Sequence, residues 1–263
     1  RPARAGPYGH VHLRMIVHPV DGTGPPGWQD LAMVNAAPPL ASEVLARLTT
    51  VYAAAADPAR GAQMAAYMRD RFPFLGIQAP ARAVLGRQVL AGLGRPDEAD
   101  LRAVAVGCWA LPEREYQYFA CDWLRRHARV CSAGFLSTAR ELITTRSWWD
   151  TIDPLAVHLV GPLVAAHPEL VPAMDGWIGD DDPWLVRTAV LHQLGYREAT
   201  DAGRLFRYCV RQAGHPDFFV RKAIGWALRE YARTDPEAVR AFVVAHRSRL
   251  APLSAREALR NIG

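Results

Sequence analysis

Lysine is nearly missing from this chain of 263 residues: Lys222 is the only one, and the remaining basic residues are all arginine. Abundant Arg and Ala with so little Lys is typical of a GC-rich genome, so the arginine content does not by itself indicate a binding function. The net charge of +5 is compatible with a polyanionic partner but does not identify one.

Cysteine and long apolar runs are also scarce. The cysteines form no CxxC pair and have no paired His nearby, which argues against a metal or thiol-redox site and predicts reduced core thiols in a cytoplasmic protein. No stretch approaches the roughly 20 apolar residues of a membrane span, and no apolar segment of a signal peptide follows Arg14. A membrane or secreted protein is therefore not expected. The four cysteines are Cys108, Cys121, Cys131 and Cys209.

Residues 1–39 differ from the rest of the chain. This segment is rich in Gly and Pro, above all around 22–27, and lacks helical periodicity. Such a composition predicts a poorly ordered N-terminal extension. One domain is expected to follow, over residues 40–263.

From Ala41 onward, apolar residues recur with helical spacing in segments of about ten to eighteen residues. Prolines lie near the predicted helix starts, where a missing N–H is tolerated. No convincing β alternation interrupts the pattern, so the predicted fold class is all-α. The predicted helices are 41–57, 61–72, 80–94, 98–109, 113–130, 133–145, 154–166, 169–179, 184–195, 200–213, 217–233, 236–247 and 254–261.

These predicted helices repeat. The sequence Val-Arg-Thr-Ala at 186–189 returns as Val-Arg-Lys-Ala at 220–223, an offset of 34 residues. A period of about 34–40 residues made of paired helices is typical of a HEAT-like α-solenoid, whose concave face can hold an extended partner. Asp153 also lies 34 residues before Arg187. Because Pro154 is expected to shift the register of its helix, this spacing is treated as a coincidence.

The segment around Asp153 is unusual. Asp153 precedes Pro154, which favours a non-helical conformation and predicts a helix N-cap. Trp148 and Trp149 are adjacent and cannot both face one helix core, so at least one is expected at a surface or groove. The alternative is that Asp153 only caps a helix while both indoles fill the core between repeats.

Two further positions leave a structural and a functional interpretation open. Arg187 either pairs with a neighbouring acid or faces a ligand. Gly225 lies inside a predicted helix, where it costs about 1 kcal/mol relative to Ala, so something is expected to approach closely. Trp226, next to it, either packs in the core or faces a groove.

Five segments, in order along the chain, together resemble the AlkD-type family of DNA alkylation-repair glycosylases. They span about Ala41 to Gly263 and leave only the N-terminal extension uncovered. The segments are Tyr67-Met68 with Phe72-Pro73-Phe74-Leu75-Gly76-Ile77, Leu111-Pro112-Glu113-Arg114-Glu115-Tyr116-Gln117, Ser147-Trp148-Trp149-Asp150, Lys222-Ala223-Ile224-Gly225-Trp226 with Leu228-Arg229-Glu230-Tyr231, and Leu250-Ala251-Pro252-Leu253-Ser254.

The resemblance implies a HEAT-like solenoid that binds duplex DNA on its concave face and excises N3- and N7-alkylated purines. It places the catalytic carboxylate on Asp153, and Pro154 departs from the family pattern beside it. The other implied roles are Trp149 and Trp226 at the lesion's backbone, Arg187 as the groove arginine, and Tyr67 and Arg229 at further DNA-facing positions, with Trp148 as a DNA contact beside Trp149.

The chemistry that the resemblance implies leads to further expectations about the substrates and the type of enzyme. An alkylpurine is already cationic and leaves without protonation, so no general acid is required and neutral lesions are expected to be poor substrates. A monofunctional glycosylase without metal or cofactor follows, and the family's mode of action implies no base flipping and acceptance of bulky adducts. A monomer is expected because a curved solenoid with capped ends can bind a duplex alone. Two alternatives stay open: a non-catalytic HEAT-like module that binds DNA or protein, and a self-resistance glycosylase for one bulky natural adduct.

Overall fold

The computed structural model describes residues 38–262, and within this range the secondary structure is helical with no β-strand. The all-α prediction is confirmed, and every predicted helix has a counterpart. The predicted extension, 1–39, lies outside the described residues except for its last two. The helices are α1 (Pro39–Ala54), α2 (Pro58–Tyr67), α3 (Ala79–Leu90), α4 (Glu98–Ala110), α5 (Arg114–His127), α6 (Phe135–Thr144), α7 (Trp149–Ala166), α8 (Val171–Trp177), α9 (Pro183–Leu191), α10 (Ala202–Arg211), α11 (Phe218–Tyr231), α12 (Pro236–Ala245) and α13 (Pro252–Ala258).

Local sequence explains where many of these helices begin. An aspartate precedes several of them, and its carboxylate accepts a hydrogen bond from a backbone N–H of the first turn. Proline often occupies the first or second helical position, where no N–H is needed. The capping aspartates are Asp57, Asp97, Asp182, Asp201, Asp217 and Asp235.

The helices stack in two rows, as in a solenoid. In the first row, α5, α7, α9, α11 and α13 each pack on the next, and they begin every 34 or 35 residues. The second row consists of α4, α6, α8, α10 and α12. The period predicted from the sequence is therefore confirmed, because each turn of the solenoid adds one helix to each row.

The core runs along the solenoid between the two rows. All four cysteines are free and buried in it, as predicted, and burial raises the pKa of each thiol. Within residues 38–262 no single helix is long and apolar enough to cross a membrane. One bent pair of helices, Trp149–Ala166 with Pro168–Trp177, has the length and apolar composition of a membrane span. Its apolar side chains include Ile152 and Leu159, which are buried in the core.

Helix α7 corrects the prediction for Asp153. The helix begins at Trp149, so Asp153 lies inside its second turn and is not an N-cap. Pro154 is accommodated within the helix, and the next residues, Ala156–Val160, form a π-helical segment. Because proline removes one backbone donor and crowds the preceding turn, a local change of helical hydrogen bonding after it is expected.

Candidate active site

A cavity of about 540 Å³ lies against the first row of helices. Helices α7, α9, α11 and α13 supply most of its wall, and the end of α2 with the turn after it supplies the rest. Segments far apart in the chain thus meet at one place. The cavity is lined by every residue singled out in the sequence for catalysis or DNA binding: Tyr67, Trp148, Trp149, Asp153, Arg187, Trp226 and Arg229.

The centre of the cavity is an ion pair between neighbouring helices. Arg187 Nε donates to Asp153 Oδ1 at 2.7 Å, and its Nη2 donates to Oδ2 at 2.8 Å. This is the bidentate geometry that makes guanidinium–carboxylate pairs strong. The 34-residue offset treated as a coincidence is therefore a direct contact, because α7 and α9 are consecutive helices of one row and Pro154 does not move Asp153 out of register.

Asp153 combines rigidity with access to the cavity. Its side chain is 17% exposed, and each carboxylate oxygen keeps a lone pair beyond the one used by Arg187. Burial raises the pKa of Asp153 above its ordinary value, and the hydrogen bonds and charge of Arg187 oppose that rise. The result is a fixed carboxylate that can still accept a hydrogen bond or face a developing positive charge.

The contacts of Arg187 favour one of the two interpretations left open for it. The residue is 3% exposed, and its remaining amino group, Nη1, donates to the backbone oxygen of Phe219. With its guanidinium held by Asp153 and Phe219, little of it is left to contact a phosphate. Arg187 is better described as the residue that positions Asp153, which was the structural alternative for this position.

The two tryptophans of α7 have different environments. Trp149, the first residue of the helix, is half-buried and lines the cavity, whereas Trp148 is 5% exposed. The Trp148 ring packs on Phe219 with centroids 4.9 Å apart, and the Arg71 guanidinium lies over the ring, 4.1 Å from its centroid. Trp148 therefore offers little accessible surface to the cavity that it lines, and its DNA contact stays a prediction.

A second buried ion pair fixes the start of α7. Arg114 is fully buried; it donates to Asp150 Oδ2 at 3.0 Å and Oδ1 at 2.7 Å, and also to the Thr151 hydroxyl at 2.9 Å. Tyr118 donates to the same carboxylate at 2.6 Å. Because Asp150 lies between Trp149 and Asp153 on the helix, this network holds both side chains at the cavity.

The far wall of the cavity is built around Glu257 of α13. Its carboxylate accepts from Lys222 at 2.6 Å and pairs with Arg229, so the predicted DNA contact of Arg229 is shared with an internal partner. A Cβ at Gly225 would lie 2.5 Å from the Glu257 Cβ. The close approach expected at Gly225 is thereby confirmed: α13 packs directly on α11, and half-buried Trp226 faces the cavity beside it.

Several cavity residues were missed by sequence reasoning. Arg69 reaches the cavity from a turn in which Arg69 and Asp70 have φ of 58° and 54°. These left-handed values are uncommon for residues other than glycine, and the turn contains no glycine at either position. Glu257 could have been found, because it follows Lys222 by 35 residues, one repeat of the solenoid. The other missed lining residues are Phe218, Phe219 and Arg260.

The chemistry available in the cavity is that of two carboxylates, Asp153 and Glu257, with three indoles and several cations. Among residues 38–262 no cluster of three or more His, Cys, Asp or Glu side chains could hold a metal ion. The arrangement can therefore stabilise a positive charge at Asp153 and bind anionic groups at the exposed cations near Glu257.

The chain is similar in sequence and in fold to DNA alkylation repair enzymes. The sequence model of a family described as "DNA alkylation repair enzyme" matches residues 48–262. A solved structure titled "Predicted DNA alkylation repair enzyme from Enterococcus faecalis" is similar, with 30% sequence identity and a TM-score of 0.73 over 79% of this chain and 97% of that one. No curated protein matches the chain.

Proposed function

Because the chain belongs to the family of DNA alkylation repair enzymes, we propose that it is a monofunctional DNA glycosylase. Its substrates are cationic N3- and N7-alkylated purines in duplex DNA, whose N-glycosidic bond it hydrolyses. The observation that carries the proposal is the placement of Asp153, which Arg187 holds in a cavity walled by Trp149 and Trp226.

The reaction needs a negative charge close to the sugar. Breaking an N-glycosidic bond passes through an oxocarbenium-like deoxyribose, whose positive charge a nearby carboxylate stabilises. Asp153 supplies that charge without having to move, because Arg187 fixes both of its oxygens. A lone pair of the same carboxylate can orient the water that attacks the sugar and take up its proton.

The two indoles complete the site for the sugar. Trp149 and Trp226 are half-buried, so each keeps a ring surface toward the cavity while the rest packs in the protein. An aromatic face against a cationic sugar contributes about 0.5–2 kcal/mol. Binding of the lesion through its sugar and phosphates leaves the base outside a pocket, so bulky adducts are accepted as well as methyl groups.

The first expected result concerns the leaving group. A cationic alkylpurine leaves without a proton, and among the described residues of the cavity Asp153 is committed to Arg187 and Glu257 to Lys222 and Arg229, so neither serves as an acid. We expect release of 7-methylguanine from duplex DNA and no release of uracil or hypoxanthine, measured by chromatography of the freed bases. Uracil release by the pure protein would contradict the mechanism.

A second expectation is that the product is an intact abasic site. A lyase needs an amine nucleophile, and Lys222, the only lysine of the chain, is ion-paired with Glu257 at 2.6 Å. We expect no strand cleavage before alkali treatment and no covalent complex after borohydride reduction. A trapped complex that disappears in Lys222→Arg would show that the amine reacts.

A third expectation concerns pH. Asp153 acts as a carboxylate, and burial raises its pKa above the ordinary value of about 3.9. Base release should therefore fall as the pH is lowered, with a midpoint above that of an exposed Asp. It should reach a plateau at high pH, since no general acid has to stay protonated. A bell-shaped profile, after subtraction of spontaneous depurination, would indicate an acid that this mechanism does not contain.

A further inference from the structure

A second cavity of about 390 Å³ lies between α3 and α5, away from Asp153. Three aromatic side chains form its inner wall: Tyr52, Phe119 and Trp123, with Phe119 stacked on Trp123 at a centroid distance of 6.3 Å. Its charged side chains are Asp122, Arg82, Arg87, Arg125 and Arg126. Four arginines against one aspartate make this cavity strongly positive.

Three residues that line the same cavity carry a buried donor without an acceptor. These donors are the Tyr52 hydroxyl, the Arg82 Nε–H and the Trp123 Nε1–H, and no group among residues 38–262 accepts a hydrogen bond from any of them. Buried donors in proteins are almost always paired, and leaving one unpaired costs about 1–3 kcal/mol. All three can donate to an acceptor, and each is enclosed, so an acceptor reaches them only when a neighbouring side chain moves.

The charge of the cavity selects the kind of acceptor. Arginine side chains around a polar acceptor bind carboxylate and phosphate groups far better than neutral ones. Burial raises the pKa of Tyr52, so its hydroxyl stays protonated and remains a donor. A phosphate has several acceptor oxygens and can accept from more than one of the four guanidinium groups.

The position of the cavity connects it to the candidate active site. An intervening cavity of about 580 Å³ shares Tyr67 and Trp149 with the cavity of Asp153, and shares Arg82 with the cavity between α3 and α5. The three cavities thus follow one another along the protein. Arg82 thus belongs both to the intervening cavity beside the Asp153 site and to the group of four arginines.

We propose that the cavity between α3 and α5 is a second phosphate-binding site, which holds a backbone phosphate of the DNA that flanks the lesion. This assignment rests on duplex DNA as the substrate but not on glycosylase chemistry. Arg82, Arg87, Arg125 and Arg126 attract the phosphate and donate hydrogen bonds to its oxygens. The site adds affinity and register, and takes no part in bond cleavage.

Gly86 offers a steric test with a matched control. It lies in the interior of α3 and lines the cavity, and a Cβ placed there would only touch the Phe119 ring at 3.7 Å. Gly86→Ala should therefore leave the cavity open, whereas Gly86→Leu should fill it. Binding of an undamaged duplex is then measured as a function of salt. Gly86→Leu should bind roughly tenfold more weakly than Gly86→Ala, with a salt slope flatter by about 1, the value for one lost phosphate contact.

A charge test covers the case in which Gly86→Leu does not fold. Arg87→Gln removes one cavity arginine, and Arg95→Gln removes an exposed arginine that does not line the cavity. Arg87→Gln should lower duplex affinity and flatten the salt slope, while Arg95→Gln should do so less. Equal effects of the two variants, or none, would overturn the DNA assignment.

The Trp123 indole N–H signal in NMR separates the sources of phosphate. We expect it to shift when undamaged duplex is added to wild type or Gly86→Ala, and not in Gly86→Leu. If inorganic phosphate or a deoxynucleotide shifts it while duplex does not, the site takes free phosphate and the DNA assignment is wrong. If nothing shifts it, the cavity is only hydrated and the proposal fails. Because no base is released in these measurements, this outcome is independent of whether the protein is a glycosylase.

Discussion

Asp153→Asn should lower the single-turnover rate of 7-methylguanine release by roughly 10²–10³-fold, the loss typical of removing one preorganised electrostatic group. The amide keeps the shape of the side chain, and its oxygen can still accept a hydrogen bond from Arg187. It loses the negative charge that faces the oxocarbenium-like sugar and that pairs with buried Arg187, so the variant should also be less stable than wild type. Affinity for the damaged duplex should stay within a few-fold of wild type, because Asp153 is not a phosphate ligand.

The matched control is Asp181→Asn, since Asp181 is exposed and does not line the cavity. This variant should release base at the wild-type rate. Thermal unfolding of both variants shows that each is folded at the assay temperature. Wild-type release by Asp153→Asn would remove the carboxylate from the mechanism, and a parallel loss of DNA binding would point to a structural role instead.

Arg187→Gln should destabilise the protein by about 3–5 kcal/mol, the usual effect of leaving one partner of a buried ion pair without its counter-charge. It should also move the acidic limb of base release to higher pH, because Arg187 lowers the pKa that burial raises. In this variant Asp153 binds a proton more readily in the folded than in the unfolded chain, because burial raises its pKa and Arg187 no longer opposes that rise. The destabilisation should shrink as the pH falls and Asp153 becomes neutral.

The same variant separates a positioning role from a phosphate contact. If Arg187 acts only through Asp153, the salt slope of duplex binding stays unchanged, whereas a lost phosphate contact would flatten it by about 1. The double variant Asp153→Asn/Arg187→Gln serves as the control, since it removes the stranded charge and should regain much of the stability. A flattened salt slope with an unchanged pH profile would show that Arg187 contacts a DNA phosphate and does not act through Asp153.

The solenoid could be predicted from the sequence because its evidence is periodic. Apolar spacing marked each helix, and the Val-Arg repeat at 186 and 220 gave the period that the first row of helices shows. The ends of the helices were less predictable. Pro154 signals a helix start in sequence, but in the structure α7 begins at Trp149 and continues through Pro154 into a π-helical segment, because packing in the core outweighs the local preference.

The members of the candidate site came from the family resemblance, and their mutual geometry did not. The repeat period already contained the Asp153–Arg187 and Lys222–Glu257 contacts, because residues one repeat apart on consecutive helices of a row are neighbours. The left-handed turn that brings in Arg69 depends on tertiary packing, which no local pattern reveals. Burial likewise decided between Trp148 and Trp149, which the sequence leaves equivalent.

The most direct measurement is release of free 7-methylguanine from an alkylated duplex by the purified protein in excess over DNA. The mechanism predicts a single-turnover release far above spontaneous depurination, with abasic sites formed in equal amount. A folded protein that binds this duplex and releases no base would contradict the assignment of Asp153, Trp149 and Trp226, and would leave a DNA-binding solenoid without catalysis.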